Sequence, residues 1–172
     1  WREGGFIGGV GNYAFAEGFP KGLLPVADAA HGAGMRLIVW FEPERVTEEN
    51  EIVKKHPAWM LRYDEPADWY KGTSLLDLGN DAARDWIFGV LSGLVRENGV
   101  DVIRFDFNID PLGFWRQADA PGRRGITEIR YINGLYELWD RLLEAFPDAL
   151  IDNCAAGGRR IDLETCKRSV CL

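Results

Sequence analysis

Three short apolar runs in this chain each follow a stretch with helical spacing, and that alternation limits the fold more than any other feature. The runs are RLIVWF (36–41), VDVIRFDF (100–107) and ALIDNC (149–154). Before the first, Leu23, Ala27 and Ala30 recur at helical intervals until Gly32 and Gly34. Before the second, Asn80-Asp81 caps a stripe of Ala83, Trp86, Ile87, Val90, Leu91, Leu94 and Val95 that stops at Asn98-Gly99. Before the third, a helix from about Thr127 to Phe146 carries Ile129, Ile132, Leu135, Trp139 and Leu142, with Pro147 beyond its end. A further helix is expected from Ile161 to Lys167. Strands alternating with helices imply a parallel sheet, and near-continuous apolar strands agree with burial on both faces. The expected fold class is α/β. Long loops follow the strands (47–70 and 109–125) while helix-to-strand turns are short. Polar, variable material therefore gathers at the carboxyl ends of the strands, where both barrels and open α/β sheets keep their sites. No glycine fingerprint precedes a helix, which argues against a dinucleotide fold.

The strand ends sharpen this expectation. Side chains alternate faces along a strand, so Val102, Arg104, Asp106 and Asn108 share one side, and Phe105 and Phe107 take the other. In the first run Ile38, Trp40, Glu42 and Glu44 are in phase; in the third, Leu150, Asp152 and Cys154. Each row begins apolar and turns polar at its carboxyl end, which is what a barrel mouth requires. Taken singly, these residues admit plainer readings. Arg104 and Asp106 could be a buried ion pair, Glu42 and Glu44 a solvated strand end, Trp40 core, and Cys154 a small buried apolar group. Three strands turning polar in one register point to a site.

Composition narrows the class. The 172 residues are 47% hydrophobic and 12% aromatic, enough for a large core. The formal net charge of −7 argues against nucleic acid or an anionic membrane as partner and suits a neutral ligand such as a sugar. No apolar run reaches the length of a membrane span. His31 and His56 pair with no cysteine at zinc spacing, and Cys154, Cys166 and Cys171 do not suggest a disulfide framework. The chain starts at Trp1 without a methionine and is read as a piece of a longer protein, with any targeting signal outside it. The compartment stays open, the cytoplasm being the default expectation.

Four motifs, LIVWFEPERV (37–46), LLDLGN (75–80), DVIRFDFN (101–108) and DNCAAGGRRID (152–162), resemble in that order glycoside hydrolase family 36, the retaining α-galactosidases or melibiases. The resemblance implies a (β/α)8 TIM barrel. Such a barrel needs about 250 residues, so residues 1–172 would form a fragment of a single catalytic domain, about strands three to five. It also implies that Asp106 is the catalytic nucleophile, and that Asn108 follows it as in the family pattern. Arg104 stands where the family has a sugar-binding lysine. Cys154 and Gly157 match a loop at the galactose ring, Trp40 an aromatic wall of the pocket, and Lys71 the neighbourhood of a family arginine. The acid/base would lie on the next strand, beyond Leu172, with Val170-Cys171-Leu172 as its start. The substrate implied is an α-galactoside oligosaccharide or glycoconjugate. Homo-oligomerisation of the parent is left open.

The chemistry agrees with this assignment. Retaining glycosidases use two carboxylates about 5–5.5 Å apart, and the nucleophile must stay ionised. A cation two residues away on the same strand face, Arg104, favours that state for Asp106. Neither metal nor organic cofactor is expected. Three rivals remain: a transglycosylase of the raffinose-synthase type, a metal-dependent lyase or isomerase using Glu42 or Glu44 with Asp106 and Asp152, and a non-catalytic sugar-binding protein.

Overall fold

The computed structural model describes residues 1–170. In chain order its elements are α1 (Gly5–Gly8), β1 (Pro20–Leu23), α2 (Leu24–Gly32), β2 (Ile38–Phe41), β3 (Arg45–Thr47), α3 (Glu51–Lys55), β4 (Met60–Leu61), β5 (Thr73–Leu76), α4 (Asp81–Asn98), β6 (Val102–Phe105), α5 (Leu112–Ala118), α6 (Ile126–Ala145), β7 (Leu150–Asn153) and α7 (Leu163–Arg168). The helix boundaries follow local chemistry. The Asn80 side chain accepts the N–H groups of Ala82 and Ala83 at the start of α4, and Gly99 closes it at φ 62°, a conformation costly for any residue with a Cβ. Helix α6 has no capping side chain at Gly125. Instead Asp119 accepts the N–H groups of Gly125 at 2.6 Å and Thr127 at 2.9 Å. Asp162 and Thr165 form a capping box at α7.

Strands β2, β6 and β7 make a parallel sheet in the order β2-β6-β7, as the alternation of elements predicts. Its two faces differ. Val39, Phe41, Ile103, Phe105 and Ile151 are all at most 4% exposed and share one core with Ile87 and Leu91 of α4 and with Leu135, Leu138, Trp139 and Leu142 of α6. Trp139 meets Phe105 edge-on at 5.5 Å. Burying an aromatic of that size contributes about 1.5–3 kcal/mol, and the pair geometry about 0.5–1.5 kcal/mol more. On the opposite face Ile38 and Leu150 are 45% and 38% exposed. Val170 forms a parallel bridge with Asp152, so pairing continues past β7. Cys171 and Leu172 of the expected next strand lie outside the described residues.

The stretch after β2 differs from the expected loop. Strands β3, β5 and β4 form a second, antiparallel sheet in that order, and α5 interrupts the other long connection. The strands are two to four residues long, and all four positions of β5 are buried, so no period-two signal marks them. Ile129, expected on the buried stripe of α6, is 58% exposed. No helix among the described residues is long and apolar enough to cross a membrane.

Candidate active site

The parallel register aligns Trp40, Arg104 and Asp152 side by side across the sheet, on the face where Ile38 and Leu150 are exposed. Asp106 follows directly after β6, held there by its N–H bond to the Phe41 carbonyl at 2.9 Å, and is 8% exposed. Its carboxylate is surrounded by donors. Trp40 Nε1 reaches Oδ2 at 2.9 Å, the Phe107 N–H reaches Oδ1 at 2.9 Å, and the side chains of Asn108 and Cys154 also hydrogen-bond it. Burial alone would push this carboxyl up. The hydrogen bonds from Asn108, Trp40, Cys154 and the Phe107 amide outweigh it and hold Asp106 below its ordinary value. The site therefore keeps a desolvated carboxylate ionised.

Arg104, whose spacing suggested that role, acts mainly on another carboxylate. Its guanidinium bonds Asp152 on the neighbouring strand, and that bond heads the causes raising its own pKa; attraction to Asp106 is the weakest of them. Residues two apart on a strand are about as distant as a diagonal pair, whereas directly opposed residues nearly touch. The cross-strand neighbour wins. Asp152 is fully buried and Arg104 half-buried, so the pair presents its cationic end to the open face.

The other expected residues divide. Cys154 is half-buried beside Asp106, its N–H bonded to the Phe105 carbonyl at 2.8 Å. Gly157 adopts φ 89° in a tight turn where Ala155 N–H meets the Gly157 carbonyl, with open space where a Cβ would stand. Asn108 bonds Asp106. Lys71 is exposed and forms an ion pair with Asp68 after a single-turn 3₁₀ helix, Asp68–Tyr70. Trp40, Arg104, Asp106, Asn108 and Cys154 are thus brought together, and no described bond ties Lys71 to them.

Glu42 and Glu44 are not a solvated strand end. They are 3% and 0% exposed. Glu42 bonds Arg45 Nη2 at 2.6 Å and accepts the Asn108 N–H at 2.7 Å; Glu44 bonds Arg160 Nη1 at 2.6 Å and accepts the Tyr131 hydroxyl at 2.8 Å. Burial, then the charge of Glu44, holds Tyr131 well above its usual value, so it serves as a neutral donor. Arginines thus engage Glu42, Glu44 and Asp152, and hydrogen-bond donors surround Asp106, so the carboxylates of the metal-dependent rival already have other partners and that reading is unsupported. No metal-holding group of three or more His, Cys, Asp or Glu gathers among the described residues. Arg45 and Arg160 lie within two of the four motifs, but nothing in the sequence pairs them with Glu42 and Glu44. A cavity of about 390 Å³ between α5, α6 and the loop after β7 is lined by Glu44, Trp115, Tyr131 and Arg160, and Asp106 does not border it.

A sequence model of the Melibiase family matches residues 8–168. Alpha-galactosidase 2 of Pediococcus pentosaceus is 35% identical over 145 residues, which are 84% of this chain and 20% of that protein. The alpha-galactosidase of Escherichia coli is 32% identical over 160 residues, 91% of this chain and 22% of that protein. Among solved structures, the family 36 alpha-galactosidase AgaB from Geobacillus stearothermophilus matches with a TM-score of 0.81 at 27% identity, over 93% of this chain and 22% of its own. A doubly substituted variant of AgaA from the same organism, in complex with stachyose, matches with a TM-score of 0.80 at 26% identity, over 93% of this chain and 23% of its own. The chain spans about one fifth of the length of these relatives.

Proposed function

Because this chain belongs to the melibiase family, we propose that it is the nucleophile-bearing sector of a retaining α-galactosidase, within a longer parent protein. The observation that carries this reading is Asp106, a buried carboxylate kept ionised by four hydrogen-bond donors at a strand end. An Oδ of Asp106 attacks the anomeric carbon of a terminal α-galactoside while the glycosidic bond breaks, and an acid delivers a proton to the leaving oxygen. The product is a glycosyl ester. Water then attacks the same carbon, gives its proton to the second carboxylate, and frees Asp106.

Trp40 offers an apolar wall that also donates to the nucleophile, and the Arg104–Asp152 pair offers donors and acceptors for sugar hydroxyls. The tight turn at Gly157 lets backbone approach the ring. Lys71 completes the proposed binding set from a surface loop. The substrate class is α-galactoside oligosaccharides, the class to which the stachyose bound by AgaA belongs.

The sector corresponds to strands three to five of a (β/α)8 barrel. Support comes from the parallel order β2-β6-β7, from a sheet face that leaves Ile38 and Leu150 exposed, and from the parallel bridge between Val170 and Asp152. The acid/base belongs on the strand that follows in the barrel. The test is labelling of the full-length parent with an activated 2-fluoro-α-galactoside, followed by peptide mass spectrometry. The expected adduct is on Asp106. A stoichiometric adduct on any other residue would overturn the assignment.

A further inference from the structure

Two of the side chains that bond Asp106 are themselves anchored from one corner of the chain, Glu42-Pro43-Glu44, just past β2. Glu42 accepts the backbone N–H of Asn108 at 2.7 Å while its other oxygen takes Arg45 at 2.6 Å. Glu44 takes Arg160 at 2.6 Å, and the same guanidinium donates to the Cys154 carbonyl and to Asn153 Oδ1, each at 3.1 Å. Asn153 returns a bond to the Arg160 carbonyl at 2.8 Å, so the loop is gripped from both sides. Asn108 and Cys154 are the residues so held, and both donate to Asp106.

We infer that Glu42 and Glu44 are positioning residues for the nucleophile: Glu42 fixes Asn108 directly, and Glu44 fixes Cys154 through Arg160. This rests on the reading of Asp106 as the nucleophile. Pro43 has a fixed φ and no N–H, so the corner turns out of the sheet without needing a ladder partner. Both glutamates then enter the interior, where they are at most 3% exposed. Apolar side chains of similar volume would pack there at least as favourably, because a buried ion pair must overcome the desolvation of both partners. What the carboxylates add is direction. One Glu42 oxygen takes the nearby Arg45, and the other three oxygens fix donors on segments distant in sequence, at residues 108, 131 and 160.

A pH profile separates positioning from packing. The charged and titratable groups around Asp106 are Arg104 on its own strand, Asp152 and Cys154 from β7 and its loop, and Glu42 behind Asn108. Removing the Glu42 charge alone takes a negative neighbour away and would move the acid limb of kcat/KM to lower pH. Losing Asn108 as a donor moves it to higher pH. The two effects have opposite signs.

The experiment uses the full-length parent. The paired variant Glu42→Leu/Arg45→Met removes the acceptor for Asn108 and leaves no unpaired arginine. It should lower kcat by about 10- to 100-fold, the loss expected when a reacting group is misplaced by an ångström or less. KM should change less, and the acid limb should move to higher pH. Glu42→Gln/Arg45→Met keeps an oxygen for the Asn108 N–H, also without an unpaired arginine, and should recover most of kcat, without the upward shift. Arg160→Lys keeps a charge beside Glu44 but loses the fork that reaches Cys154, and should shift the limb in the same upward direction. If the paired variant does not fold, Arg160→Lys decides. Wild-type kcat and acid limb with only a lowered Tm would overturn the inference. Parent Asp106→Asn tells the two failures apart: if it stays active, the nucleophile reading fails; if it is dead while the corner variants are normal, only the positioning role fails.

Discussion

Replacing Asp106 with asparagine keeps the shape of the side chain and removes its charge, so it separates the chemistry of the site from its packing. The carboxylate accepts Trp40 Nε1 on one oxygen and the Phe107 N–H on the other, both at 2.9 Å, with Asn108 and Cys154 as further donors. An amide has one acceptor atom, so at least one of these donors must then face an NH2 group. A hydrogen bond to a charged group is worth about 1.5–3 kcal/mol, against a folding margin of about 5–15 kcal/mol. The variant should therefore fold. The rate loss is of another size. Closing the covalent route should cost at least about 10³-fold in turnover, or ~4 kcal/mol in the barrier. The assay is the initial rate of nitrophenyl α-galactoside hydrolysis by the full-length parent, with galactose affinity by calorimetry as the check on pocket integrity. Asp106→Ala with added azide should regain part of the rate and yield a glycosyl azide, because the small anion supplies the missing nucleophile. An Asp106→Asn enzyme with intact binding and more than about a tenth of the wild-type rate, a change under ~1.4 kcal/mol, would refute the reasoning.

Further outcomes can be stated briefly. The 172-residue segment expressed alone should be inactive and associate through its open sheet face, where Ile38 and Leu150 are exposed; a cooperative thermal transition from a monomer would contradict the barrel-sector reading. The parent should prefer α-galactosides to α-glucosides, since a site built to bond one hydroxyl rejects its displacement; equal kcat/KM on the two nitrophenyl glycosides would count against it. Because hydrogen bonds lower Asp106 below its ordinary value, activity should persist as pH falls and be lost only on passing through that lowered value, so an acid limb of kcat/KM above the ordinary aspartate range would point to another group. The parent gene should encode an Asp or Glu within about ten residues after Leu172, where a strand of ordinary length would end; a window without one removes the second carboxylate.

Local pattern was enough for the elements that shape the site. Asn80 and Gly99 bound α4 because a cap and a left-handed stop act over a few residues, and the phase of Trp40, Arg104, Asp106 and Asp152 follows from the two-residue period of a strand. Those signals need no knowledge of what lies across the fold. The motif strings likewise carried the family without any contact being known. Partner choice was a different matter. Arg104 is two residues from Asp106 and 48 from Asp152, and it bonds the latter because parallel pairing sets Arg104 directly opposite Asp152. The short strands β3, β4 and β5 escaped notice since pairing between segments, not periodicity within them, makes them strands. For Glu42 and Glu44 the sequence left two readings, the polar end of a row facing the site or a solvated strand end around a proline. Their burial depends on Arg160, 116 residues beyond Glu44, on Tyr131 of α6, and on an Asn108 amide from another strand end. Desolvation of a charge is decided by everything that packs around it, and only the folded chain brings those groups together.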